Sequence, residues 1–132
     1  MHLKFKDLLE IAARLRKECP WDKKQTLESL MPHLKEEADE VMEAIESGNS
    51  EHIAEEMGDL LFTMMLMAEI ASETGRFDMG TILEGSAEKM ISRHTWVFGT
   101  DKASSPEEAV ELWLKNKAKE KETKGMKDKR SS

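Results

Sequence analysis

Apolar residues recur along this chain at spacings of three and four, a periodicity that divides it into helices. Phe5, Leu8, Leu9, Ala12 and Leu15 form one stripe on a first helix of about four turns, which ends before Pro20. The stretch from Cys19 to Thr26 reads as a loop, and Pro32 interrupts the short segment that follows. A second helix resumes near His33, with Leu34, Ala38, Val41, Met42 and Ile45 on one face. Gly48, Asn49 and Ser50 then supply a helix stop and an N-cap. A third helix runs from about Glu51 to Thr74 and carries the stretch Leu60 to Ala68, apolar on nearly every side, before Gly75 stops it. The fourth spans about Thr81 to His94, with Ile82, Leu83, Ala87, Met90 and Ile91 expected inward. Ser105, Pro106 and Glu108 open a fifth with an N-cap Ser, Pro at the first helical position and Glu at the third, the pattern of a reciprocal capping box.

This pattern predicts an all-α fold, a bundle of four to five helices. A helix as uniformly apolar as the third needs cover all round, more than four or five helices of this size can give. Part of its surface is therefore expected to meet another copy of the chain, in a homodimer or higher homo-oligomer, with the ten methionines filling irregular gaps. The 36% of charged residues and 5% of aromatics fit long solvated helices. Leu60 to Ala68 falls far short of the roughly 20 residues that span a bilayer, so no membrane partner is expected. Cys19, the one cysteine, cannot close an intramolecular disulfide, and no leader-like stretch stands out, so a cytoplasmic protein is expected.

Charge changes the picture at the C-terminal end. Residues 1–114 hold 12 basic and 24 acidic side chains, whereas residues 115–132 hold 8 basic and 3 acidic. The acidic body repels a nucleic-acid backbone, so nucleic acid is not the expected partner. One domain over residues 1–122 is expected, followed by a disordered basic tail over 123–132 with almost nothing apolar to bury.

The candidate chemistry lies in two acidic pairs. Glu37-x-x-Glu40 sits on the second helix and Glu56-x-x-Asp59 on the third, each spaced so that both members leave one side of the helix. Helices joined by so short a turn run antiparallel. Glu40 and Glu56 are equidistant from that turn, as are Glu37 and Asp59, so the pairs should face each other as a square of oxygen donors. Glu37 lies about 40° from Val41 and about 60° from Leu34, at the border of the apolar face. Four carboxylates converging there repel one another, and the repulsion is relieved either by protonation or by bound cations. Hard divalent ions fit an all-oxygen set, Mg²⁺ first and Mn²⁺ as a substitute, with positions left for substrate phosphates. On a chain with 27 acids the same spacings also arise on solvated helices. Gly58, inside the second pair and mid-helix, suggests a close approach by another helix or a ligand. The Glu-x-x-His spacing of di-iron bundles does not occur.

Several segments together resemble the MazG-type nucleoside triphosphate pyrophosphohydrolases. They are Cys-Pro-Trp-Asp-Lys-x-Gln-Thr at Cys19 to Thr26, Glu-Glu-x-x-Glu at Glu36, Glu37 and Glu40, Glu-x-x-Asp-Leu-Leu-Phe at Glu56 to Phe62, Gly-Arg-Phe-Asp at Gly75 to Asp78, and Arg-His-x-x-Val-Phe at Arg93 to Phe98. The resemblance implies an all-α fold, an intertwined dimer, and hydrolysis of nucleoside triphosphates to monophosphate and pyrophosphate. It places metal ligands at Glu37, Glu40, Glu56 and Asp59, with Glu36 as a further catalytic carboxylate. It also implies phosphate contacts at Lys89 and Arg93 and a nucleotide-end pair at Trp113 and Lys117, while Trp21 and Asp22 close the pocket or pin the loop. Ser92, Thr95 and Trp96 stand where the family usually has Arg, Pro and a second His.

The expected mechanism is attack of water between the α and β phosphates, with cations on the carboxylate square offsetting phosphate charge and acidifying the water. Glu36 or one of the square takes the proton, and Lys89 and Arg93 stabilise the departing pyrophosphate. His33, His52 and His94 read as surface or capping residues. The competing expectation is a non-catalytic helical dimer that binds nucleotide or a partner protein, its acidic square a structural cation site. No motif reads a base edge.

Overall fold

The computed structural model describes residues 4–130, and of residues 126–130 the backbone alone. The described residues form seven helices and no strand: α1 (Phe5–Glu18), α2 (Pro20–Lys24), α3 (Met31–Ser47), α4 (Ser50–Glu73), α5 (Met79–Arg93), α6 (Thr95–Phe98) and α7 (Pro106–Arg130). The all-α expectation holds, with α2 and α6 added to the helices that periodicity finds. None of these helices is long and apolar enough to cross a membrane. The chain divides into two compact units, the first ending at Thr81 and the second beginning at Ile82.

In the first unit α4 packs against both α1 and α3, and α1 also meets α2. Leu30, Leu66 and Ile70 make a buried cluster with Leu27 and Met67 against it. Ala12 on α1 and Ala44 on α3 are fully buried, and each of these helices packs against α4. The segment expected as a loop after Cys19 contains one helical turn, because Pro20 starts it without losing a needed N–H. Pro32 likewise sits in the first turn of α3 rather than interrupting it. Gly48, at φ 74°, ends α3 in the left-handed conformation. Asn49 Oδ1 then accepts from the His52 N–H at 3.1 Å, so the turn joins two capped, antiparallel helices. Gly75, at φ 69°, closes α4, and the Arg76 N–H donates back to the Ala71 carbonyl.

In the second unit α6 packs against α7. Asn116 is buried and donates through Nδ2 to the Arg93 carbonyl and to Thr95 Oγ1. At the start of α7 the Ser105 hydroxyl accepts from the Glu108 N–H as expected, but the Glu108 carboxylate returns to the Ser104 N–H rather than to Ser105. The box is displaced by one residue. α7 is helical through Arg130, beyond the boundary at 122 read from the sequence. Residues 131–132 of the expected tail lie outside the described residues.

Several apolar faces expected inward are open in the single chain. Ile82, Leu83, Ala87, Met90 and Ile91 on α5 are exposed, as are Met42 and Ile45 on α3. Periodicity identifies an apolar face but not what covers it, and nothing among the described residues covers these.

Candidate metal centre

The α3–α4 hairpin carries out the register arithmetic. Because both helices are regular up to the Gly48 turn, residues equidistant from it meet, and one carboxylate oxygen from each of Glu37, Glu40, Glu56 and Asp59 lies within 4.8 Å of the others. Their surroundings differ. The Glu37 and Glu56 side chains are each only 12% exposed, whereas Asp59 is open to solvent. Burial pushes the Glu37 carboxyl above its ordinary range, and the neighbouring charges of Glu40 and Asp59 push the same way against a smaller opposing effect of His33. Glu56 is raised in the same manner, by burial first and then by Glu40 and Asp59, with His52 opposing.

Glu37 Oε2 and Glu56 Oε2 are buried and have no hydrogen-bond partner. Buried carboxylate oxygens are rarely left so, because the lost hydration is uncompensated. A cation at the common centre would compensate it. The donor set is all oxygen and carries no sulfur or imidazole ligand, which suits Mg²⁺ or Mn²⁺.

The remaining candidate residues fall into three places. Glu36 is exposed on α3 and is not among the four converging side chains. Trp21, on α2, is exposed and meets the His33 ring edge-on, with centroids 6.2 Å apart, while Asp22 beside it is buried and its carbonyl accepts from Arg16 Nη1. In the second unit Arg93 and Lys117 lie on Trp113, at 5.0 and 5.1 Å from the ring centroid, and Arg93 Nε donates to Glu120 Oε2 at 2.9 Å. Lys89 is exposed on α5. The close approach expected at Gly58 is not made among the described residues, since a Cβ there would meet nothing within 4 Å.

Two residues read from the sequence as surface or capping groups are partly exposed and also stand beside the carboxylates. His33 Nε2 is 3.6 Å from Glu37 Oε1, and His52 Nδ1 is 3.7 Å from Glu56 Oε1. The signal was present as His-x-x-x-Glu on each helix, a spacing that puts the two side chains on one face. Arg16, which ties α1 to α2 and α4, had no such signal.

A helical hairpin that gathers four carboxylates from Glu-x-x-Glu and Glu-x-x-Asp pairs defines a class, all-α proteins with a cluster of four oxygen donors on one hairpin. The profile of the MazG nucleotide pyrophosphohydrolase domain matches residues 25–98, which include all four acids, and the chain belongs to that family. It is 41% identical over 119 residues to the nucleoside triphosphate pyrophosphohydrolase/pyrophosphatase MazG of Thermotoga maritima, covering 89% of this chain and 45% of that protein. It is 38% identical over 122 residues to the nucleoside triphosphate pyrophosphohydrolase of Escherichia coli, covering 90% of this chain and 46% of that one. The chain thus spans less than half the length of these two relatives. The crystal structure of a mazG-related protein from Thermotoga maritima superposes with a TM-score of 0.74 at 34% identity, covering 86% of this chain and 98% of that one.

Proposed function

We propose that this chain hydrolyses nucleoside triphosphates to nucleoside monophosphate and pyrophosphate, using Mg²⁺, or Mn²⁺ in its place, held by Glu37, Glu40, Glu56 and Asp59. The observation that carries this is the convergence of the four carboxylates within 4.8 Å, with two buried oxygens unpartnered. The family of the chain and its pyrophosphohydrolase relatives suggest the reaction class. A divalent cation bound there supplies positive charge to phosphate oxygens and lowers the pKa of attacking water. A carboxylate not engaged by it, Glu36 or a member of the four, accepts that water's proton. Lys89 and Arg93 contact the triphosphate and stabilise charge on the leaving pyrophosphate, while Trp113, Lys117 and Trp21 contact the nucleotide. The Arg93–Trp113–Lys117 stack supports this by grouping three of those residues.

The working form in this proposal is a homodimer in the cytoplasm. Exposed Met57, Leu61 and Met64 on α4, with the open faces of α3 and α5, support the dimer: they are apolar surface that the chain leaves uncovered. Sedimentation of the purified chain at the mass of two copies is the expected result.

The deciding experiment incubates purified protein with a panel of nucleoside triphosphates and Mg²⁺ and measures pyrophosphate. Release by wild type that falls to background in Glu37→Ala and Asp59→Ala supports the enzyme. Equal release from all three reveals a contaminant, and no release from any triphosphate leaves a non-catalytic helical protein with a structural cation site.

A further inference from the structure

We infer that His33 and His52 are positioning residues of the metal centre, each holding one oxygen of a buried glutamate so that the other faces the cation. This rests on the metal assignment above and extends it to two side chains outside the acidic pattern.

The geometry repeats on the two arms of the hairpin. On α3, His33 Nε2 lies 3.6 Å from Glu37 Oε1; on α4, His52 Nδ1 lies 3.7 Å from Glu56 Oε1. In both glutamates the oxygen left over, Oε2, is the buried one without a hydrogen-bond partner. The two oxygens of each carboxylate thus divide the work, one beside an imidazole and one unpartnered. Among the described residues, no histidine stands within ion-pair distance of Glu40 or Asp59. A glutamate side chain carries several rotatable bonds, and fixing them costs rotamer entropy. A neighbour that fixes them before the cation arrives removes that cost from binding, which is the usual role of groups behind metal ligands.

The histidines are themselves held. The His33 ring meets the edge of Trp21 at an interplanar angle of 71°. The Trp21 carbonyl accepts from Gln25 Nε2 at 3.0 Å, and Arg16 donates to the carbonyls of Asp22 and Gln25 on either side of that turn. His52 stands in the first turn of α4, its N–H capped by Asn49. Trp21 and α2 therefore connect to the cation site through His33.

The two contacts use different ring nitrogens, which gives a test that a purely structural role does not pass. Glutamine places its amide nitrogen where a histidine has Nε2, and asparagine places it where a histidine has Nδ1. Mn²⁺ affinity of the full chain is measured without substrate, from the loss of the free-ion electron paramagnetic resonance signal, at one pH, with thermal melts as a check on folding. His33→Ala and His52→Ala are each expected to weaken Mn²⁺ binding by about tenfold or more. His33→Gln and His52→Asn are expected to restore most of it, whereas His33→Asn and His52→Gln are not. Alanine variants that bind within about twofold of wild type overturn the inference, as does equal rescue by both amides at either site. Wild type that binds no Mn²⁺ overturns the metal assignment as well, so the two failures are told apart.

Discussion

Arg16 on α1 reaches the last residue of α4, with its Nη2 2.8 Å from Glu73 Oε2. The same guanidinium donates to the carbonyls of Asp22 and Gln25, so one side chain on α1 ties the neighbouring α2 to the end of α4, which is distant in sequence. It is 12% exposed, while Glu73 is 43% exposed, and the two ends of the pair should respond differently to truncation. Arg16→Ala leaves two carbonyls without their partner and is expected to lower stability by about 2–3 kcal/mol. Glu73→Ala removes only a solvated ion pair and is expected to cost below about 1 kcal/mol. Urea unfolding of both variants measures the difference.

Glu37 and Glu56 hold their protons more tightly in the folded chain than in the unfolded one, where the ordinary value is 4.5. As pH rises past 4.5 the unfolded chain releases these protons first, so stability falls until the folded chain has released them too. In chelator at neutral pH, Glu37→Gln and Glu56→Gln are therefore expected to melt above wild type, with the gap closing as pH falls to the ordinary carboxylate range. Saturating Mg²⁺ should reverse the order, because only wild type keeps all four ligands. Melting curves across pH, with and without the ion, check both signs.

The cation should also stabilise the fold by mass action. At an ion concentration about a hundredfold above Kd the gain is about 2.7 kcal/mol, which corresponds to a rise in Tm of about 10 °C for a chain of this size. Glu40→Ala and Asp59→Ala are expected to abolish that rise while leaving the metal-free Tm unchanged or higher, since each removes like charge from the cluster. A thermal-shift titration with Mg²⁺ and Mn²⁺ reads it directly.

In the second unit, Asn116 is buried and bonds both the Arg93 carbonyl and Thr95 Oγ1 at 3.0 Å. Asn116→Ala is expected to cost about 2 kcal/mol by leaving those acceptors without their donor. Asn116→Asp should be worse at neutral pH, because a carboxylate oxygen then faces the carbonyl oxygen. Chemical unfolding of the two variants ranks them.

Helix periods of three and four, the Gly48 and Gly75 stops, the Asn49 and Ser105 caps and the equal offsets of the acidic pairs are local or arithmetic properties. They needed no knowledge of packing, and the long helices and the carboxylate square follow from them. Three-dimensional contact decided the rest. Burial separates Glu37 and Glu56 from solvent-open Asp59, and spacing along either helix does not encode it. Arg16 reaches carbonyls on a segment whose shape the sequence left as a loop, and His33 and His52 acquire significance only because the oxygens they do not touch are enclosed. Spacing along a helix specifies a direction around its axis. What stands in that direction, water, a carboxylate or another copy of the chain, is set by distances between segments far apart in the chain, and these exist only once it has folded.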